Sequence, residues 1–190
     1  TVSYRVDGVL HRREVFASYP DRAGQNFNRP YELAVEDPRG VAVLVHGLTD
    51  APYSLREIGE ALKELFSEGR AVREQLVVTS KAGFLPLDFP FPENPYQWIE
   101  DHVLTPGLAT KEDVVVDQHC ITPAYLRWSV EQSLKNLQLE TKDVFFLHNP
   151  EMQLGYVEYK TLKKRIKKAF ELFEKLVEEG KIRYLGLSEA

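Results

Sequence analysis

Residues 181–190 read KIRYLGLSEA. A short apolar strand runs into Gly-Leu-Ser-Glu-Ala, and that ending has two readings. In one, Ser188 sits on a tight strand-to-helix turn of the G-x-S-x-G kind, its hydroxyl raised for nucleophilic attack. In the other, IRYLGL is a parallel strand of an α/β barrel and Ser188 stands at the rim where such strands end. The choice between them decides the fold.

Working back along the chain, a long helix is expected over about 157–179. Its Leu162, Ile166, Ala169, Phe170, Phe173, Leu176 and Val177 recur at helical spacing, and Gly180 is its stop. DVFFLH (143–148) is an unbroken apolar run, as expected of a strand covered on both faces. TPAYLRWSVEQSLKNL (122–137) opens with a Thr N-cap and Pro at the first helical position, and Leu126, Val130, Leu134 and Leu137 form its stripe. LVVTS (76–80) and VAVLVH (41–46) read as further buried strands, and VVVDQ (114–118) as a short one. A helix over roughly 54–67 places Leu55, Ile58, Leu62, Leu65 and Phe66 on one side, with Gly69 just past its end. YQWIEDHVL (96–104) is expected to form a short helix. GFLPLDFPFPENP (83–95) holds too many prolines for regular structure and is expected to lie as a loop over one end of the sheet. Near the start, DGVLHRREVFASY (7–19) is expected to pair as a hairpin, and DPRG (37–40) is a turn. Strands alternating with helices point to an α/β architecture with a parallel sheet.

Composition narrows the function classes. The 190 residues suffice for one sizeable core or two small ones, and 43% hydrophobic with 28% charged residues is ordinary for a globular chain. A net charge of −5 argues against nucleic acid as a partner. The single cysteine, Cys120, excludes an internal disulfide and fits a reducing compartment. No run approaches the ~18 apolar residues of a membrane helix, and TVSYRVDGVLHRREV lacks a signal peptide's apolar stretch. A cytoplasmic location without membrane attachment is the expectation. His119-Cys120 is not expected to bind metal, because adjacent strand residues point to opposite faces. LKKRIKK (162–168) is broken by Leu162 and Ile166 at helical spacing and reads as a solvated helix face.

Two resemblances then stand side by side. VAVLVHGLTDAPYSLR (41–56) resembles the strand and oxyanion-hole loop of α/β-hydrolases of the carboxylesterase and lipase type, over roughly residues 28–56. That resemblance implies a backbone N–H just after His46-Gly47, that of Leu48, facing a developing oxyanion. From about Ile58 the chain resembles the aldo/keto reductases. IGEALKELF, REQLVVTSKAG, TPAYLRWSVEQSLKNLQLETKDVFFLHNPE and AFELFEKLVEEGKIRYLGLS follow that family's pattern in order. Because AFELFEKLVEEG belongs to it, the barrel-strand reading of KIRYLGLSEA prevails over the nucleophile turn.

The reductase resemblance implies a (β/α)₈ barrel, NADPH as cofactor and a small-molecule carbonyl substrate. Lys81, at the end of VVTSK, matches the lysine that makes the family's catalytic tyrosine more acidic. His148 in FFLHNP matches the histidine that orients the substrate carbonyl, and Ser188 the serine near the nicotinamide carboxamide. The family's Asp-x-x-x-x-Tyr stretch is occupied here by LVHGLTDAPYS. Asp50 and Tyr53 are the right residue types, two residues closer together than the family places them. Glu189 stands where the family often has Asn.

The expectation is therefore an incomplete (β/α)₈ barrel over 58–190, preceded by a hydrolase-like segment over 1–57, together a chimera. A whole barrel takes about 250 residues, and the chain reaches what resembles its fifth strand, short of the strands that carry the adenosine 2′-phosphate site. Weak or absent carbonyl reduction is the leading function. The alternatives are a non-catalytic or designed scaffold, and a serine hydrolase using the His46-Gly47 loop and Ser188. Exposed sheet edges are expected to favour self-association.

Overall fold

The computed structural model describes residues 2–6, 9–13, 52–87 and 92–188. The chain divides into two compact units, 1–39 and 40–190. In the first unit, β1 (Val2–Val6) pairs antiparallel with β2 (Val9–Arg13), Val6 opposite Val9. This hairpin differs from the one expected within residues 7–19: VLHRR pairs back with VSYRV, which precedes that stretch, and residues 14–19 lie outside the described residues. VAVLVH (41–46) lies outside the described residues.

In the second unit, α1 (Pro52–Ser67), β3 (Thr79–Ala82), α2 (Pro95–Ile99), α3 (Pro123–Leu137), β4 (Lys142–His148), α4 (Tyr159–Glu178) and β5 (Ile182–Ser188) follow one another. The 57/58 division read from the sequence falls within α1. The sheet is parallel, in the order β3-β4-β5. Each strand is reached through a helix, as parallel neighbours require.

Alternation along β4 decides the layering. Phe145 and Leu147 are fully buried beneath the helices, while Val144, Phe146 and His148 are half-buried on the opposite face. Under that first face lie Leu126 and Val130 of α3 and Ala169, Phe173 and Leu176 of α4. Phe145 meets Phe173 edge to face, centroids 5.2 Å apart. A second cluster joins Leu55 and Leu62 of α1 to Leu76, Val78 and Leu137.

Local signals set the helix ends. The Thr122 hydroxyl accepts from the Tyr125 N–H, with Pro123 at the first helical position. Asn94 caps α2 in the same way through the Gln97 N–H. Gly180, at φ 72°, closes the last turn before β5. On α4, Leu162, Ala169, Phe173 and Leu176 are buried as the spacing predicts, whereas Val177 is exposed.

Two strands differ from expectation. β3 starts at Thr79, later than LVVTS predicts, because the Asp143 carboxylate takes the Val78 N–H at 2.8 Å and ends the preceding loop there. VVVDQ is a turn: Val116 and Asp117 lie at φ 54° and 52°, a left-handed conformation no strand sustains. Short bridges fasten that turn over the C-terminal end of β3. Leu85 N–H donates to Gln118 O, and Cys120 N–H to Gly83 O, both at 2.7 Å. Leu85, Ile99, Val103, Cys120 and Tyr125 form a third small core beneath it.

Candidate active site

Parallel register brings three of the expected residues onto one sheet face at the C-terminal ends of the strands. His148 pairs with Ser188, and Lys81 pairs with Phe146, so all share the face that turns away from α3 and α4. His148 Nδ1 lies 3.0 Å from Ser188 Oγ. Lys81 sits two positions back on the neighbouring strand and acts electrostatically on the imidazole. Gly186, opposite Phe146, leaves that one position of β5 without a side chain on this face; a Cβ there would stand 2.7 Å from the Phe146 ring. Beside the strands, a cleft is lined by Lys81, Phe84, Trp128, Ser129, Gln132 and His148.

Burial, reinforced by the positive charge of Lys81 and, once it is protonated, by that of His119, pushes the His148 imidazole down to about 4. The ring is therefore uncharged near neutral pH, with one nitrogen that donates and one that accepts. Among the described residues it makes one hydrogen bond, at Nδ1.

The surroundings of His148 include groups that sequence reasoning missed. His119 is fully buried, and its Nε2 lies 2.9 Å from the main-chain oxygen of His148. Phe84 meets both imidazoles in edge-to-face contacts, with ring centroids 5.1 Å from His119 and 5.3 Å from His148. Buried Gln153 reaches His119 Nδ1 at 3.3 Å, and Arg165 donates to the side-chain oxygen Oε1 of Gln153 at 2.9 Å. Adjacency to Cys120 was the feature that marked His119 in the sequence. Its real partners lie 29 and 34 positions away, a relation no local pattern carries.

At the other end of the sheet, Lys142 is fully buried, its Nζ 2.8 Å from Ser80 Oγ and 2.9 Å from Ser133 Oγ. Asp143 accepts from Arg73 at 2.8 Å and pairs with Arg183 at 2.9 Å, clamping the strand starts together. Neither residue was singled out from sequence.

Of the other expected site residues, Tyr53 falls in the first turn of α1, and its side chain lies outside the described residues. Asp50, and the His46-Gly47-Leu48 loop, also lie outside them.

Comparison with known proteins completes the picture. Residues 51–190 match the aldo/keto reductase family. The chain is 26% identical over 136 residues to aldo-keto reductase family 4 member C11 of Arabidopsis thaliana, covering 70% of this chain and 32% of that protein. It is 27% identical over 133 residues to probable aldo-keto reductase 1 of Glycine max, covering 70% of this chain and 27% of that one. The chain thus spans about a third of the length of these curated relatives. Among solved structures, aldo-keto reductase AKR11C1 from Bacillus halodurans, in its holo form, matches with TM-score 0.45 and 23% identity, over 73% of this chain and 33% of that one. The silkworm aldo-keto reductase AKR2E5 complexed with NADPH matches with TM-score 0.44 and 20% identity, over 70% of this chain and 30% of that one. The family match runs through every element from α1 to β5, including the strands that carry Lys81, His148 and Ser188, and by it the chain belongs to the aldo/keto reductase family.

Proposed function

We propose that this chain carries the carbonyl-binding side of an NADPH-dependent aldo/keto reductase site. The observation that supports this reading most is the shared sheet face of Lys81, His148 and Ser188, with His148 held uncharged. NADPH, when bound, would supply the hydride for a carbonyl carbon. The residues present fit the nicotinamide end of that cofactor: a serine hydroxyl at the strand rim, a glycine strand position behind it and a neutral histidine beside it.

In this reading the Ser188 O–H donates to His148 Nδ1, which leaves the ring proton on Nε2. That N–H holds the substrate's carbonyl oxygen. The Ser188 oxygen keeps lone pairs for an amide N–H, as a carboxamide offers. Lys81 contributes a positive charge that favours an ionised or partly ionised phenol nearby. Tyr53 is the proton-donor candidate and Asp50 its acidic companion. Their shortened spacing argues for weak turnover.

The N-terminal hydrolase resemblance belongs to the same proposal: a segment of other ancestry joined near residues 54–58 to a reductase portion. A serine hydrolase built on Ser188 has less support, because an imidazole that protonates only near 4 is a poor base for a serine hydroxyl. Titration with NADPH, read by nucleotide fluorescence, tests the reading together with reduction of a simple aromatic aldehyde. Saturable binding weakened by Lys81→Met supports it. A flat titration with no turnover returns the chain to the scaffold alternative, and fluorophosphonate labelling of Ser188 would replace the reductase with a hydrolase.

A further inference from the structure

We propose that His119 is a positioning residue for His148, gripping the end of β4 by its main chain while a relay from α4 fixes which nitrogen of His119 carries the proton. The inference rests on the reading of His148 as the carbonyl-orienting group.

The relay can be followed atom by atom. Arg165 has only donors, so the oxygen of the Gln153 amide faces it, at 2.9 Å. The amide nitrogen of Gln153 therefore points at His119 Nδ1, 3.3 Å away, and donates to it. A nitrogen that receives a hydrogen bond carries no proton of its own, so the ring proton of neutral His119 sits on Nε2. There it meets the main-chain oxygen of His148, which can only accept. Each link excludes the opposite assignment at the next. The far end is anchored as well: Arg165 pairs with Asp113 at 2.9 Å and donates to the Glu112 carbonyl oxygen at 3.1 Å.

The contact is built into the backbone around it. Gly83 makes the approach possible, since a Cβ at that position would lie 2.2 Å from the His148 oxygen and 2.8 Å from His119 Nε2. The main chain of His119 is held by Val115 in both directions, at 2.8 and 2.9 Å. After His148 the chain turns sharply, with Asn149 at φ 46° and its N–H bonded to Ser188 O at 2.8 Å. The peptide between His148 and Asn149 is thus pinned on both sides, by His119 at its oxygen and by Ser188 at its nitrogen. A pinned peptide restricts where the His148 ring stands, and the ring stands against Ser188 Oγ.

Nitrogen-15 NMR of histidine-labelled protein tests this with or without catalysis. The wild-type chain should show His119 as the neutral form protonated at Nε2. Gln153→Leu should release that bias and give a mixture of tautomers. His119→Phe should shift the ring-nitrogen signals of His148, and His119→Gln, whose side-chain amide can still donate to the same oxygen, should restore them. If the protein reduces aldehydes, His119→Phe should lower kcat by roughly tenfold or more with little change in KM, as misplacement of a reacting group does, and His119→Gln should recover much of it. His119 protonated at Nδ1 in the wild type would overturn the proposal. So would unchanged His148 signals in a cooperatively melting His119→Phe variant. Should His119→Phe fail to fold, the wild-type tautomer and the Gln153→Leu spectrum decide alone. The expected spectra in a chain that neither binds NADPH nor turns over would retire the reductase reading and leave the positioning role standing; turnover indifferent to His119 would do the reverse.

Discussion

His148 Nδ1 and Ser188 Oγ stand 3.0 Å apart because β4 and β5 run parallel in a register that sets these two residues side by side. The contact is the meeting point of two segments that are 40 residues apart in the chain. Replacing either partner should change the site without unfolding it, since both are only half-buried. In a chain that reduces aldehydes, His148→Gln should lower kcat/KM by about 100-fold, within the range expected when an acid–base or orienting group is lost. Ser188→Ala should weaken NADPH binding more than it slows the chemistry. Steady-state kinetics with each substrate varied in turn separate the two effects.

Protonation of His148 gives the protein an acid-side weakness. The folded ring is pushed down to about 4 by burial, Lys81 and His119, against an ordinary value of 6.5. Burial lowers His119 as well. As pH falls below about 6.5, the unfolded histidines take up protons before the folded ones do, so stability declines with pH. The contribution is complete above the unfolded value and is lost on the way down to about 4. Allowing for the partial exposure of His148, its share is about 1 kcal/mol. Urea denaturation at pH 7, 6 and 5 should show this fall, and Lys81→Met should reduce it by removing a positive neighbour.

Asp143 fastens three segments at the start of the sheet. Its carboxylate accepts the Val78 N–H and Arg73 at 2.8 Å each and pairs with Arg183 at 2.9 Å, with only 8% of the side chain exposed. Asp143→Ala would leave a buried N–H unpaired and Arg73 without its counter-ion. The expected cost is about 3 kcal/mol, measurable as a lowered denaturation midpoint with an unchanged slope.

Phe173→Ala should be costlier than changes at the site. Phe173 is fully buried and packs against Phe145 and Phe170 between α4 and β4. Removing a buried aromatic ring costs about 3–5 kcal/mol. Thermal melting that left the midpoint within a degree of wild type would refute this packing.

Tyr184 lies on the same sheet face as Val144 and is 68% exposed, while Leu187, further along the same strand and on its other face, is also exposed. Self-association through this region is the expected behaviour of such apolar surface. Light scattering across a concentration series should show growing species, and Tyr184→Lys should suppress them. A monodisperse wild-type chain at high concentration would remove the expectation.

Much of the helical scaffold was legible locally. Thr122-Pro123 announced α3, Gly180 closed α4, and the apolar spacing of Leu126, Val130 and Leu134 named the buried side, because caps and helical periodicity are short-range properties. The apolar run in DVFFLH marked β4 for the same reason. Lys81, His148 and Ser188 were legible too, through the family pattern around them. VVVDQ was misread because β-branched residues signal extended backbone, whereas Val116 and Asp117 are left-handed and turn the chain so that His119 bridges back to Val115 and across to Phe84.

The sequence by itself settled the alternation of helices and strands from α1 to β5 and the family, since each of these is written in neighbouring residues. The tertiary structure alone decided that His119 holds the His148 main chain, that Arg165 and Gln153 orient it, and that Asp143 gathers two arginines. Those are contacts between side chains separated by dozens of residues, and they exist only after register and packing have fixed where each strand ends.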